Sequence, residues 1–278
     1  MQRFNGKVVL ITGGARGQGR SHALHFAREG ADVVVCDLSD DISTVPYGLG
    51  TAEDLDETRK LVEAEGRRCL SLVADVRDGA QLGSVVEAAI GEFGRVDVLV
   101  ANAGIAGIST IAEMSDDMWH NMLDVNLSGV FKAIRAVLPH MIERRRGRIV
   151  ATSSIAGRLG APNIGHYVAA KWGVIGLVKS TALEVADKGI TVNAVAPTSV
   201  DTKMIQNEAF WRLFVPDIEE PTREQVEAAF ATLHPMPVPW LAPADVSAAV
   251  LFLASDEAKY ITGEVLPVAA GWNARNAS

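Results

Sequence analysis

The chain has 278 residues, 48% of them hydrophobic, which supports a sizeable core in one large α/β domain or two small ones. Its 26 basic and 34 acidic side chains leave a formal net charge of −8. That balance excludes the basic face of a nucleic-acid footprint and disfavours anionic membrane surfaces, and no run of about 18 apolar residues is present to span a bilayer.

Short apolar runs alternate with longer amphipathic stretches from the start. Residues 7–12 read as a buried strand and 17–29 as a helix ended by Gly30. Strands at 31–36 and 67–73 follow, then a helix at 79–93, a strand at 96–101 and one long helix over about 116–143. Ser115 before two aspartates starts that long helix well. A strand at 148–153, a helix at 165–186 and a strand at 191–196 continue the rhythm. Strands apolar on both faces, alternating with helices, predict a parallel sheet covered on both sides: a single-domain, doubly wound α/β Rossmann fold over residues 1–278. The basic run Arg144, Arg145, Arg146 and Arg148 follows the long helix and reads as a solvated helix end. Cys36 and Cys69 lie in or beside strand-like runs without metal or redox spacing, and read as buried thiols in a reducing compartment. The opening residues lack the pattern of a signal peptide, so the expected location is cytoplasmic.

Two segments break the rhythm. Residues 38–66 are too long for a simple connection; they carry SDDISTVPYGLGT and a charged helix at 53–65, and read as an insertion. Residues 198–240 hold Phe210, Trp211, Phe214, Phe230 and Trp240 among Pro216, Pro221, Pro235, Pro237 and Pro239. Long connections in compact domains are functional or disordered, and the aromatic content favours a folded substrate lid. Residues 273–278 read as a loose tail.

The first strand runs into a glycine-rich turn in which Gly13, Gly17 and Gly19 are spaced G-x-x-x-G-x-G, with Arg16 and Gln18 between them. Glycines permit a tight turn and close approach of a pyrophosphate, and the following helix offers free N–H groups and a positive dipole end. Asp37 closes the second strand, 18 residues after Gly19. A carboxylate there accepts from ribose hydroxyls and repels a 2′-phosphate, which selects NAD over NADP. Arg16 pulls the other way, because a cation in the turn pairs with that phosphate.

With these residues on the page, the chain resembles the short-chain dehydrogenase/reductase family over nearly its whole length. Thr12 to Gly19 resembles the family's TGxxxGxG turn and Asn102, Ala103 and Gly104 its NAG motif. Ser154 and the pair Tyr167 and Lys171 resemble its catalytic serine and YxxxK, and the separation of Ser154 from Tyr167, 13 residues (167 − 154), is that of the family. Asn126 stands at the catalytic-asparagine position. The resemblance implies adenine contacts at Asp75 and Val76 and nicotinamide-side contacts at Pro197, Val200 and Thr202. Where most members have Pro-Gly after the sixth strand, this chain has Pro197 and Thr198. The insertion, with GGARGQGRSHA and PTSVDTKMI, resembles the mycofactocin-associated, carveol dehydrogenase-like branch. That resemblance implies tightly held NAD, re-oxidation by a separate redox partner, and a homotetramer built in part on the small face Ala169, Ala170, Gly173 and Gly176.

Tyr167 and Lys171 are one turn apart and share a helix face. A free tyrosine titrates near about 10, and a neighbouring ammonium is expected to lower that value. Ser154 is placed to hydrogen-bond the substrate oxygen. Asn126, a poor mid-helix residue, is expected to hold a water between Lys171 and solvent. His22 and His25 read as packed or solvated, not as metal ligands, and His166 as a loop residue. The leading expectation is an NAD-dependent enzyme that interconverts an apolar secondary alcohol, terpene-like or alicyclic, and its ketone. An NADPH-dependent 3-ketoacyl thioester reductase and a non-catalytic nucleotide-binding scaffold are the alternatives.

Overall fold

The computed structural model describes residues 2–275, so 276–278 of the tail lie outside the described residues; 273–275, read as the start of that tail, belong to the 3-10 turn Trp272–Arg275. Seven parallel strands run in the order β3-β2-β1-β4-β5-β6-β7: β1 Val8–Thr12, β2 Asp32–Asp37, β3 Cys69–Val73, β4 Val98–Ala101, β5 Gly147–Thr152, β6 Ile190–Pro197 and β7 Val265–Val268. Alternation along each strand builds two cores. Leu10, Val34, Leu99 and Ile149 face one, with helices α3 (Gly79–Phe93), α5 (Gly129–Glu143) and α6 (Gly165–Val185). Val9, Val33, Val100 and Val150 face the other, with α1 (Gly17–Arg28) and α9 (Pro243–Ala254). The chain order reverses between β1 and β4, which opens a crevice at the carboxyl ends of the strands.

Several elements depart from the sequence reading. The long helix at 116–143 is α4 (Asp116–Leu123), a π-helical turn at Asp124–Ser128, and α5. Strand β7 and helix α9 were not legible. Pro267 disguises the strand, and it is tolerated because β7 is an edge strand paired only with β6. Helix α9 buries Val246, Val250, Leu251, Leu253 and Ala254, but its exposed face carries Ala244, Ala248 and Phe252, so it shows no polar stripe to mark it as amphipathic. The arginine run is not merely solvated. Arg144 joins Arg95 on the buried carboxylate of Asp97, and Arg146 and Arg148 both reach Asp256. Cys36 is buried but Cys69 only half-buried. Val33 pairs with Cys69 and Cys36 with Leu72, an odd offset that sends the two thiols to opposite faces and precludes a disulfide between them.

The insertion enters the core. Ile42 is buried, Val45 and Leu49 pack on the first cluster, and a capping box at Thr51 starts α2 (Ala52–Ala64). The 198–240 segment contains α7 (Glu208–Phe214) and α8 (Arg223–Ala231). Phe230 is fully buried and holds them together, with ring centroids 4.0 Å from Phe214 and 5.7 Å from Trp240. Among the described residues, no helix is long and apolar enough to cross a membrane.

His22 packs between α1 and α9 with no exposed surface, and its Nδ1 lies 2.8 Å from the Ser247 hydroxyl. Burial holds its ring down to about 3. Between about 6.5 and 3 the unfolded chain therefore binds a proton at this position that the native chain refuses, and stability present above the upper value is lost on acidification. His22→Gln should flatten the fall of unfolding free energy between pH 6 and 4 by up to about 1.4 kcal/mol per pH unit, measured by urea unfolding across pH.

Candidate active site

The glycine turn is held from across the switch point. The Asn102 amide donates to the carbonyls of Thr12 (3.1 Å) and Gly13 (3.3 Å), while the backbone N–H groups of Asn102 and Ala103 both donate to the Thr12 hydroxyl at 3.1 Å. Gly17 sits at φ +55°, and a Cβ on Gly19 would lie 1.9 Å from the Gly13 carbonyl oxygen, so neither position accepts another residue without rearrangement. Beside this turn a cleft of about 380 Å³ is lined by Gly13, Arg16, Gly17, Gln18 and Gly19, by Asp37, Asp75 and Val76, by Asn102, Ala103 and Gly104, and by Thr202. Pro197 and Val200 do not line it. Val200 is buried in the second core and pairs with Leu241, and Pro197 ends β6 with its carbonyl toward Ser154.

The charged residues of the cleft already have work. Asp37 accepts from the backbone N–H of Ala15 and of Leu38, both at 2.9 Å. Burial pushes its carboxyl above the usual range, against the pull of those two bonds and of Arg16. Arg16 reaches out of the turn and donates to the Gly48 carbonyl of the insertion. Asp75 is ion-paired with Arg77 at 2.7 Å.

Ser154, Tyr167 and Lys171 come together where β5 meets α6. Ser154 follows β5, accepts from the Ala156 N–H at 3.1 Å and lies 3.5 Å from the Pro197 carbonyl. Tyr167 is in the first turn of α6, and the Lys171 ammonium one turn on donates to the Thr152 carbonyl at 2.8 Å. That ammonium lies 5.5 Å from the centre of the Tyr167 ring. Burial drives the two groups apart: it pushes the phenol up, opposed by a hydrogen bond with Ser154, and holds Lys171 down to about 8. The lowering of the phenol by Lys171 expected from the sequence is not found: desolvation raises it, and the bond that opposes this comes from Ser154.

Asn126 does something other than expected. Its side chain is fully buried in the π-helical turn; Oδ1 accepts from the Ile105 N–H and Nδ2 donates to the Ile105 carbonyl, both at 2.8 Å. Both ends of the carboxamide hold the loop after β4, which keeps Gly104 within 3.6 Å, measured from an added Cβ, of the Lys171 ammonium. His166 is the second residue of α6, not a loop residue, and is buried, which lowers its ring below the ordinary value. The small face of α6 is divided: an added Cβ on Gly173 would strike Leu127 of the same chain at 2.8 Å, whereas Gly176 faces open space. Sequence reasoning missed Tyr47, whose hydroxyl accepts from the Ala106 N–H at 2.9 Å and whose phenol burial pushes upward. An aromatic residue inside the insertion was its only signal.

Residues 7–212 match the family model described as short chain dehydrogenase. The (-)-trans-carveol dehydrogenase of Rhodococcus erythropolis is 49% identical over 98% of this chain and 99% of its own length. Among solved structures, carveol dehydrogenase from Mycobacterium avium in complex with NAD superposes with a TM-score of 0.96 at 46% identity, covering 98% of this chain and 99% of that one. Levodione reductase superposes with a TM-score of 0.87 at 32% identity, covering 98% and 100%.

Replacing Asn126 by Ala strands the N–H and carbonyl of Ile105 in the interior. The expected loss is about 2–4 kcal/mol of unfolding free energy in urea, because each buried unpaired group costs about 1–3 kcal/mol.

Proposed function

The chain belongs to the short chain dehydrogenase family, and on that premise we propose that it is an NAD-dependent oxidoreductase that interconverts an apolar, alicyclic secondary alcohol and its ketone, with Tyr167 as acid/base. The observation that carries this reading is the meeting of buried Ser154, buried Lys171 and partly buried Tyr167 at the carboxyl ends of the strands, beside a glycine-turned cleft that ends at Asp37.

The residues fit a dinucleotide. Gly13, Gly17 and Gly19 line the cleft at the start of α1 with no side chain in the way, and the Gln18 Oε1 is buried without a partner among the described residues. Gly13, Gly17 and Gly19 would take the pyrophosphate, Asp37 the adenosine ribose, Asp75 and Val76 the adenine side, and the loop of Asn102 to Gly104 the nicotinamide half, with Pro197, Val200 and Thr202 beyond it. NAD, when bound, supplies the hydride acceptor. In alcohol oxidation the Tyr167 phenolate takes the hydroxyl proton, and in ketone reduction the phenol returns it. Ser154 holds the substrate oxygen at a fixed distance from that phenol. Lys171 keeps a buried donor within reach of the ribose and supplies charge against the phenolate. Asn126 positions the loop between them.

The substrate class is supported by the apolar body that Phe214, Phe230 and Trp240 form in the lid, and by the names of the carveol dehydrogenase and levodione reductase relatives. Arg16 does not favour the NADPH-dependent alternative, because its guanidinium is bonded to Gly48 and Asp37 repels a 2′-phosphate. The insertion, tied down through Arg16 and Tyr47, supports slow exchange of the cofactor; a cofactor held in that way would be re-oxidised in place by a separate redox partner. Trp119, Phe131 and Trp172 are 37%, 41% and 51% exposed on α4, α5 and α6, which supports assembly of a homotetramer through those helices.

Mass spectrometry of nucleotide released from freshly purified protein should find NAD or NADH. Recovery of NADP would overturn the role given to Asp37. Tyr167→Phe should keep the fold and the nucleotide but lower kcat/KM for cyclic secondary alcohols about 10²–10⁴-fold. Unchanged turnover in that variant would remove Tyr167 from the chemistry.

A further inference from the structure

The structure points to Thr198 and His234 as a latch that fixes the root of the lid to the end of β6, and we infer that His234 is thereby a positioning residue for substrate. The inference rests on the dehydrogenase reading and goes beyond it. Thr198 stands where a glycine would ordinarily follow Pro197, and the structure gives its hydroxyl a definite task. The side chain is 8% exposed, and its Oγ1 lies 2.8 Å from Nε2 of His234, itself 4% exposed. The other ring nitrogen, Nδ1, is 2.6 Å from the Val238 carbonyl. A carbonyl only accepts, so Nδ1 carries the hydrogen; Nε2 of the neutral ring is then the acceptor and the threonine hydroxyl the donor.

The node joins three parts of the chain. The Thr198 N–H donates to the Val268 carbonyl at 3.1 Å, which binds the end of β6 to the end of β7. The Trp272 ring stands edge-on to His234 with centroids 5.8 Å apart. Two residues on, the Met236 N–H donates to the Ala270 carbonyl at 3.1 Å. The two arms of the lid also meet here: the Leu241 N–H donates to the Ser199 carbonyl and the Asp201 N–H to the Leu241 carbonyl, both at 2.9 Å. On the other side, Pro197 presents its carbonyl to the Ser154 hydroxyl at 3.5 Å. The neck of the lid is thus one residue from a contact of Ser154, while the body of the lid is held by its own Phe214, Phe230 and Trp240 rings. Such a body keeps its internal packing when the neck loosens, but loses its fixed place over the substrate.

Thr198→Val keeps the shape, removes the hydroxyl and leaves a buried ring nitrogen without its donor. The expected result is a KM for a cyclic terpene alcohol raised about three- to tenfold with kcat changed less than about twofold, nucleotide content unchanged, and tryptic cleavage after Arg212 and Arg223 several-fold faster. Thr198→Ser, which restores the donor, should return both readouts to wild type. A folded Thr198→Val protein with wild-type KM and wild-type cleavage overturns the latch, as does equal impairment in the Ser and Val variants. If the wild-type protein turns over no alcohol, the oxidoreductase reading fails, and the tryptic comparison still decides the latch. Should Thr198→Val not fold, the ring-nitrogen chemical shifts of His234 in histidine-labelled wild-type protein read the same bond: a hydrogen on Nδ1 is expected, and a hydrogen on Nε2 overturns it.

Discussion

Pairing of β1 with β4 places two loops side by side at the point where the chain order reverses, and Thr12 and Asn102 lock them together. The Thr12 hydroxyl receives two N–H groups from the β4 loop, and the Asn102 amide returns a donor to the carbonyls on which the glycine turn begins. Everything at the site is referenced to that junction. The glycine turn projects to one side of it and meets Asp37 through the Ala15 N–H; the segment through Gly104 and Ile105 projects to the other and meets Asn126. A parallel sheet supplies such a junction because its loops all emerge at the same edge, so groups distant in sequence are brought together by backbone pairing alone.

Desolvation then governs the electrostatics. Tyr167, Lys171 and Asp37 are each pushed by burial toward their uncharged forms, and at Tyr167 and Asp37 hydrogen bonds oppose that push without removing it. Burial moves the phenol up and the ammonium down, well past the roughly half-unit by which lysine ordinarily exceeds tyrosine, so the protein's own groups favour a neutral phenol beside a lysine that gives up its proton readily. The same effect has no chemical use at His22, where it merely makes the α1 and α9 contact sensitive to acid.

The insertion and the 198–240 segment enclose the cleft by different means. The insertion is fixed by Ile42 in the core and by polar ties from Arg16 and Tyr47 to the loops that line the cleft. The later segment carries its own small aromatic core and is joined to the sheet at a narrow neck. One is a wall continuous with the domain, the other a body attached to it, and the neck beside Pro197 is where the second meets the reaction end.

The doubly wound sheet was legible in the sequence because its signal is local: buried strands are continuous apolar runs, helices repeat with their own period, and a glycine turn between the first of each reads as a unit. Ser154, Tyr167 and Lys171 were singled out by their resemblance to the family's serine and YxxxK motifs, whose separation can be read along the linear chain; the structure brings the three together where β5 meets α6. What the tertiary structure decided depends on partners far away in sequence. Asn126 breaks a helix because Ile105 lies within reach of its carboxamide, and the arginines after α5 are ion-paired because Asp97 and Asp256 arrive from other strands and turns. Helix α9 was hidden by apolar residues on its exposed face as well as its buried one, and β7 by a proline that an edge position tolerates. Tyr47 and His234 are ordinary residues in the sequence; hydrogen bonds to particular distant loops, which no local pattern encodes, are what give each of them a role in shaping the site.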